Sequence, residues 1–168
     1  GRCLSRGYVD AANALTNQQG FNGELVGAVL CFTEELNLRA HKGTYDRVKA
    51  LVTGKTITIH PKGGTPFQLP NGTHWLQCAN PANYCPINLG DTRIVYCYVE
   101  AQEKPIPKPE MEERLWVEAP GLIWAMKRAE LPKASDRLGF PVLKTEDKGE
   151  QEEASKTELI RFLEEGVM

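Results

Sequence analysis

The chain lacks the short motifs that most often assign a protein to a class at once. It contains no GxxxxGK(S/T) sequence, the loop whose backbone amides and lysine hold the phosphates of a bound nucleotide. No apolar run approaches the roughly 18 residues needed to span a bilayer, and no secretory leader is recognisable. These absences predict no membrane partner, and they leave the chain by itself without the usual cradle for ATP.

The spacing of the cysteines predicts no metal site. No CxxC pair occurs, and the spacing of His74, Cys78 and Cys85 fits no familiar zinc site. Three of the five cysteines lie in apolar, strand-like runs, where a free thiol behaves as a small hydrophobic side chain. An odd number of such thiols favours a reducing compartment such as the cytoplasm. The cysteines are Cys3, Cys31, Cys78, Cys85 and Cys97.

Neither sign of charge dominates the sequence. The formal net charge is -2, which gives the whole chain no attraction to DNA. Residues 1–109 nevertheless hold eleven bases and eight acids, whereas residues 144–168 hold four bases and eight acids. The first part can therefore accept a polyanionic partner. The 168 residues suffice for one domain of average size, and because the chain starts at Gly1 we expect a piece of a longer protein.

The most informative segment is an apolar run that ends on two acids. Residues 29–32 are apolar, and Glu34 and Glu35 follow almost directly. A run of this length bounded by polar sequence is typical of a strand buried on both faces. Adjacent carboxylates at the carboxyl end of such a strand can hold a magnesium ion and polarise a water molecule.

Hydrophobic periodicity and turn residues predict alternating strands and helices along the chain. A helical period ends at Gly54, a typical helix terminus, and the Pro-Lys-Gly-Gly turn predicts a hairpin. Pro120 is expected to kink a later helix or to divide it. The predicted elements are a helix or loop over 8–19, a strand over 29–32, a helix over 45–52, hairpin strands over 56–60 and 66–70, a strand over 73–80, a buried central strand over 93–100, a helix over 110–129, an exposed and partly flexible segment over 137–156, and an amphipathic helix over 155–165.

Four features follow one another in a fixed order. Two acids follow a strand, a hairpin carries a lysine at its tip, a strand ends on an asparagine, and Asp-Thr-Arg precedes another strand. Together they resemble superfamily 3 helicases, as found in the primase–helicase proteins of phages, plasmids and integrated elements. The matching segments are FNGELVGAVLCFTEEL, RVKALVTGKTITIHPKGG and HWLQCANPANYCPINLGDTRI, and the resemblance covers about residues 20–99.

The resemblance implies catalytic roles for four residues. Glu34 and Glu35 match the Walker B pair, in which Glu34 would support Mg²⁺, mostly through waters, and the other acid would orient the attacking water. Asn80 matches a sensor asparagine that hydrogen-bonds that water or the γ-phosphate. Arg93 matches the arginine finger that reaches the ATP of the next subunit and stabilises charge in the transition state.

The resemblance also implies partners. Lys62, with His60 as a weaker candidate, matches the hairpin residues that touch DNA phosphates without reading sequence. The expected parent is a hexameric ring that hydrolyses ATP with Mg²⁺ and unwinds single-stranded or forked DNA in the cytoplasm of a bacterial host cell. The phosphate-binding loop of such proteins lies upstream of the part matched by Gly1, so this chain alone is expected to be inactive.

The expected fold is α/β, a fragment of the three-layer AAA+ sheet of P-loop NTPases, followed by a helical C-terminal segment. The expected division is a partial helicase core over 1–105, a helical lid segment over 106–143, and a linker with the start of a following domain over 144–168.

Other interpretations of the same residues stay open. The parent could be another AAA+ ATPase that loads or remodels DNA. The chain could instead be a non-catalytic module that binds nucleic acid or mediates assembly, which fits the missing phosphate loop. Individually, Glu34 and Glu35 could be solvated acids, Asn80 a turn former, Arg93 a surface partner of Asp91, and Lys62 an ordinary hairpin-tip lysine.

Overall fold

The computed structural model describes residues 7–38, 40, 43–80, 87, 90–131, 133 and 145–156. The chain divides into two compact units, one of Gly1–Cys97 with Val142–Met168 and one of Tyr98–Pro141. In chain order the elements are β1 (Tyr8–Asp10), α1 (Ala12–Thr16), β2 (Leu30–Glu34), α2 (Thr44–Thr53), β3 (Thr56–Ile59), β4 (Phe67–Pro70), β5 (His74–Cys78), α3 (Lys108–Arg128) and α4 (Glu146–Ala154).

A three-stranded parallel sheet forms the centre of the first unit, in the order β1-β2-β5. The predicted α/β fold is confirmed, with helices connecting parallel strands. On β2, Cys31 and Thr33 are buried, whereas Leu30 and Phe32 are only partly covered. The sequence predicts that this strand is buried on both faces, and this is wrong for the face that carries Leu30 and Phe32. On that face the ring of Phe32 stacks on the ring of Tyr8, with 5.9 Å between the ring centroids.

The segment predicted as helix or loop over 8–19 contains both a strand and a helix. The helix is α1, and its last carbonyls accept hydrogen bonds from Arg47 of α2, whose Nη1 lies 3.1 Å from the oxygen of Leu15 and 2.9 Å from that of Asn17. The strand β1 was not predicted, because three residues are too few to show a period of two.

The predicted helix after the acid pair is confirmed as α2, and it ends at Gly54. A Cβ atom at this position would lie 2.9 Å from the carbonyl oxygens of both Ala50 and Thr56. The glycine is therefore required by a close approach of backbone rather than by a left-handed conformation, since its φ is -62°.

The predicted hairpin is also confirmed. β3 and β4 pair in antiparallel fashion as a separate two-stranded sheet, and Ile57 and Ile59 are buried on one face. The turn uses Gly63 at a φ of +76°, a conformation that costs glycine little. The strand predicted over 73–80 is β5, which joins the parallel sheet rather than the hairpin.

The core of the first unit is small and contains Cys31 at its centre. Burial, and secondarily the negative charge of Glu24, raise the pKa of the Cys31 thiol to about 11, so it stays protonated as a small hydrophobic side chain. Cys78 and Cys97 are exposed, contrary to the burial expected from their apolar surroundings in sequence. The buried core residues in contact are Ala11, Ala14, Leu25, Ala28, Cys31, Ile57 and Ile59.

The buried central strand predicted over 93–100 is wrong. Residues 94–100 have no strand or helix conformation, and Val95, Tyr98 and Val99 are exposed. Their β-branched and aromatic side chains favour an extended chain, but a strand also requires a neighbour for its backbone N–H and C=O groups. Within the described residues, β1, β2 and β5 pair only with one another.

The exposed segment predicted over 137–156 contains a helix, α4. Thr145 is its N-cap, with its side-chain oxygen accepting from the backbone N–H of Lys148 at 3.2 Å. Ser155 is the C-cap of this helix, so the prediction that a helix begins at Ser155 is wrong, while residues 157–165 lie outside the described residues.

The second unit contains α3, which matches the helix predicted over 110–129. The helix is continuous through Pro120, so of the two alternatives for this proline, the division into two helices is wrong. None of its side chains is buried, and both Trp116 and Trp124 are more than half exposed. Within the described residues, no helix is both long and apolar enough to cross a membrane.

Candidate functional site

The parallel pairing of β2 with β5 brings two chain segments to one edge of the sheet. Glu34, the last residue of β2, lies in register with Cys78, the last residue of β5. The chain therefore leaves both strands at the same carboxyl edge, which is where α/β proteins bind ligands. Glu35 and Asn80 follow these two strand ends.

Glu35 is fixed at this edge by its backbone and by its side chain. Its N–H donates to the carbonyl of Cys78 at 2.8 Å, and its Oε1 accepts from Nδ2 of Asn80 at 2.7 Å. On the next residue, the carbonyl of Leu36 accepts from Nε2 of Gln77 at 2.6 Å. The segment that follows β2 is thus bonded at successive positions to the end of β5.

The backbone of Glu35 has an unusual conformation. Its φ is +48°, and among the described residues it is the non-glycine residue with positive φ. Such a conformation costs a residue with a Cβ about 1 kcal/mol or more and is concentrated at functional sites, where neighbouring contacts maintain it. The bonds to Cys78 and Asn80 supply those contacts.

The edge offers oxygen ligands and open space. Glu34 and Glu35 are adjacent and exposed, and Asn80, also exposed, keeps its amide oxygen as an acceptor while its nitrogen donates to Glu35. Carboxylate and amide oxygens suit the hard cation Mg²⁺. No group of three or more acidic, histidine or cysteine ligands occurs among the described residues, so an ion here would keep most of its waters. The donor set fits a water-mediated Mg²⁺ site at Glu34.

Arg93 is bonded to a different partner. Its main-chain N and its side-chain Nε donate to Oδ1 of Asp91 at 2.8 and 3.1 Å, and its Nη2 lies 2.5 Å from Oδ2. Tyr45 of α2 also donates its hydroxyl to Oδ2, at 2.8 Å. The pairing of Arg93 with Asp91 that sequence proximity allowed is present, but Asp91 is buried, with its side chain 1% exposed.

The charges in this cluster are strongly coupled. Burial alone would raise the pKa of Asp91, but hydrogen bonds from the Arg93 side chain and backbone and from Tyr45, with the positive charge of Arg93, lower it to about 2. The same pairing raises the pKa of the Arg93 guanidinium above its ordinary value. Asp91 and Arg93 therefore form a fixed ion pair at neutral pH.

The two predicted DNA-contacting residues lie on the hairpin. Lys62 is exposed in the turn between β3 and β4 and borders a polar depression of about 350 Å³ with Asn17 and Glu24. His60 follows β3 and is partly buried, with its ring edge-on to Phe21 at 4.8 Å between centroids. Lys62 is thus open to a partner, whereas His60 is partly occupied in packing.

The structure brings together some of the predicted site residues. Glu34, Glu35 and Asn80 share the carboxyl edge of the sheet, Arg93 is bonded to Asp91 and Tyr45, and Lys62 is on the hairpin turn. The sequence places Tyr45 in the helix predicted over 45–52 and gives no sign of a role at the site. Its hydroxyl contacts a residue 46 positions later, and nothing in a single sequence signals such a contact.

The chain thus has an α/β fold in which polar residues cluster at the carboxyl ends of two neighbouring parallel strands, β2 and β5. The chain belongs to DUF5906, a family of unknown function whose sequence profile matches residues 1–93. No curated protein sequence matches it significantly.

The fold is similar to solved structures of the C-terminal region of NrS-1. One apo structure matches with a TM-score of 0.71 at 18% identity, covering 92% of this chain and 38% of that one. A structure of its A form matches with a TM-score of 0.69 at 18% identity, covering 98% of this chain and 43% of that one. At this identity the likeness concerns the fold, and the chain spans less than half of the region it matches.

Proposed function

We propose that the chain is part of an ATP-hydrolysing DNA helicase of the primase–helicase kind. The resemblance of four ordered motifs to superfamily 3 helicases supports this, as does the likeness in fold to the C-terminal region of NrS-1, which points to a region related to primase–helicases. The same proposal divides the chain into a partial AAA+ core over 1–105, a lid segment over 106–143, and a linker with the start of a further domain over 144–168.

The observation that carries the proposal is the hydrogen bond between Asn80 and Glu35. The resemblance gives both residues a role in hydrolysis, and they are separated by 45 positions in the sequence. At the carboxyl edge of the parallel sheet, Nδ2 of Asn80 lies 2.7 Å from Oε1 of Glu35. A solvated acid and a simple turn former would not need this contact. The positive φ of Glu35 adds a second feature expected of a functional residue.

The arrangement suits activation of a water molecule for attack on the γ-phosphate of ATP. The amide of Asn80 fixes one carboxylate oxygen of Glu35, and the second oxygen can accept a proton from the attacking water. Bound Mg²⁺, held through waters at Glu34, would neutralise charge on the phosphates. Phosphoryl transfer depends mainly on positioning and charge neutralisation, and the guanidinium of Arg93 is suited to stabilise charge that develops on the phosphate oxygens.

In this proposal the parent protein forms a homo-oligomeric ring, with a hexamer as the proposed size. Lys62 contacts the DNA backbone as a point charge, and His60 borders the same surface. The GxxxxGK(S/T) loop comes from residues of the parent outside this chain, so ATP binding is a property of the parent.

The test is Glu35→Gln in the parent protein, with Glu112→Gln on the exposed face of α3 as the matched control. The amide cannot accept a proton from water, so we expect hydrolysis to fall by at least about 100-fold. ATP binding, measured with a fluorescent analogue, should stay within about threefold of the unmodified protein. Hydrolysis in Glu35→Gln equal to that in Glu112→Gln would overturn the proposed function.

A second candidate function is a nucleic-acid-binding module without catalysis. The observation behind it is Lys62, which is exposed in the turn between β3 and β4. This candidate predicts a parent that binds single-stranded DNA but neither binds nor hydrolyses ATP.

A further inference from the structure

Asp91 is a buried carboxylate with bonds on both oxygens. Oδ1 accepts from the N–H and Nε of Arg93, and Oδ2 accepts from Nη2 of Arg93 and from the hydroxyl of Tyr45. A buried charge that lost one of these partners would be costly. The carboxylate therefore fixes one edge of the Arg93 guanidinium, the edge formed by Nε and Nη2.

The opposite side of the guanidinium, at Nη1, can still donate hydrogen bonds to a ligand. Nη1 of Arg93 carries two N–H donors that bond to no residue within the described part of the chain, and the side chain is 28% exposed. A guanidinium fixed along one edge and open at the other is oriented toward an anion before the anion arrives. This lowers the entropy lost when the anion binds.

The segment that carries Arg93 is held by α4. The buried amine of Lys148 donates to the backbone carbonyl of Asp91. The hydroxyl of Thr145 donates to the carbonyl of Tyr96 at 2.6 Å, and the hydroxyl of Ser155 accepts from the N–H of Ile87 at 3.4 Å. Residues 90–97 contain no helix or strand, so these bonds replace those that a regular element would provide.

We propose that Asp91 and Lys148 are positioning residues, through which α4 sets the orientation of the Arg93 guanidinium toward the phosphate of a bound nucleotide. The nucleotide as ligand rests on the proposed function. The attachment of the Arg93 segment by α4 rests on the contacts alone. The hydrogen bond from Lys148 to Asp91 joins residues 57 positions apart, so it links the Arg93 segment to a helix much later in the sequence.

The first test is a double-mutant cycle in the parent protein. Lys148→Met removes the amine and keeps the length of the side chain, and Lys127→Met at the exposed end of α3 is the control. We expect Lys148→Met to lower kcat by about 10- to 100-fold with little change in KM. The substitution would displace Arg93, and Arg93 is proposed to act in the transition state. Lys127→Met should change neither.

The cycle is completed in an Arg93→Lys background. Lysine keeps the charge but cannot make the two-point pairing with Asp91. The Arg93→Lys variant therefore has no guanidinium for Lys148 to orient. We expect Lys148→Met to change kcat less than threefold there. An equal loss in both backgrounds would mean that Lys148 contributes only general stability, and it would overturn the positioning role.

A second variant guards against misfolding of Lys148→Met. Tyr45→Phe removes one hydroxyl bond to Asp91 and leaves the ring in place. It should lower kcat in the wild-type background and have less effect beside Arg93→Lys. Additive behaviour in this pair would contradict the proposal independently of Lys148.

Hydrogen–deuterium exchange of the parent separates this inference from the proposed function. In Lys148→Met, peptides covering residues 90–97 should exchange at least about tenfold faster, while peptides of β2 and β5 should not change. Unchanged exchange over 90–97 would overturn the inference. If the parent hydrolyses no ATP, the proposed function fails, and the exchange result alone decides whether α4 holds the Arg93 segment.

Discussion

Burial and hydrogen bonding act in opposite directions on the Asp91 carboxyl group. Desolvation favours its neutral form, but three groups that donate to its oxygens favour the ionised form and hold the pKa at about 2, against an ordinary value of 3.8. Because the native state holds the ionised form more tightly than the unfolded chain does, Asp91 stabilises the fold above the ordinary pKa. This stabilisation is lost as the pH falls toward 2.

The pH dependence of this stabilisation can be measured with Asp91→Asn. Urea unfolding at pH 5 and pH 3 should show the difference in free energy between the two proteins shrinking by about 1 kcal/mol at the lower pH. Over this range Asp91 becomes protonated in the unfolded wild-type chain but stays largely ionised in the native state, whereas the amide does not titrate in either state. A difference that is the same at both pH values would contradict the lowered pKa.

At the scale of elements, Asn22 attaches the β3–β4 hairpin to the segment that precedes β2. Its backbone N–H donates to the carbonyl of His60 at 3.1 Å, its Oδ1 accepts from the N–H of His60 at 2.7 Å, and its Nδ2 donates to the carbonyl of Thr58 at 2.9 Å. A single residue thus imitates the pairing of a neighbouring strand. This fixes the end of β3 next to the turn, while Lys62 in the turn is exposed.

The exposed turn leads to a prediction for DNA binding by the parent. Lys62→Ala should weaken binding to single-stranded DNA and reduce the slope of log K against log salt by about one, since one phosphate contact is lost. Lys55→Ala is the matched control, because Lys55 is exposed at the opposite end of the same hairpin. Fluorescence anisotropy over a range of salt concentrations measures both. Equal slopes for the two variants would remove Lys62 from the DNA surface.

The elements differ in how well the sequence predicts them. α2, the hairpin and β5 are predicted because periodicity and turn chemistry agree there. α4 is missed because Glu146–Ala154 contains a glycine and almost no apolar residue, so it shows no helical face. The strand predicted over 93–100 is wrong because its side chains have a strong β propensity but its backbone pairs with no strand among the described residues.

The same distinction holds for the candidate site. The proximity of Glu35 and Asn80 could be predicted, since the ends of adjacent parallel strands lie at one edge. The contact of Lys148 with Asp91 could not, because it depends on how α4 packs against a segment without regular structure. Contacts of that kind are set by tertiary packing and leave no local pattern.

At the scale of the whole molecule, the chain spans 38% of one NrS-1 structure that it resembles in fold. An activity that depends on residues beyond this chain must therefore be tested in the parent. In the proposed ring, Glu35 of one subunit and Arg93 of its neighbour would serve the same ATP. This arrangement is heterologous, so each interface would combine residues from two copies.

Mixing two inactive variants of the parent tests that arrangement. Glu35→Gln alone and Arg93→Ala alone should each hydrolyse ATP poorly, but a random mixture places an intact Glu35 against an intact Arg93 at about a quarter of the interfaces. ATPase activity should then recover toward a quarter of the wild-type rate if the sites act independently. The control mixture of Glu35→Gln with the double variant Glu35→Gln/Arg93→Ala contains no interface with both groups, so it should stay inactive. Recovery in neither mixture, with ring formation verified by light scattering, would show that Arg93 does not act between subunits. Its role would then lie within its own subunit, where Asp91 and α4 hold it.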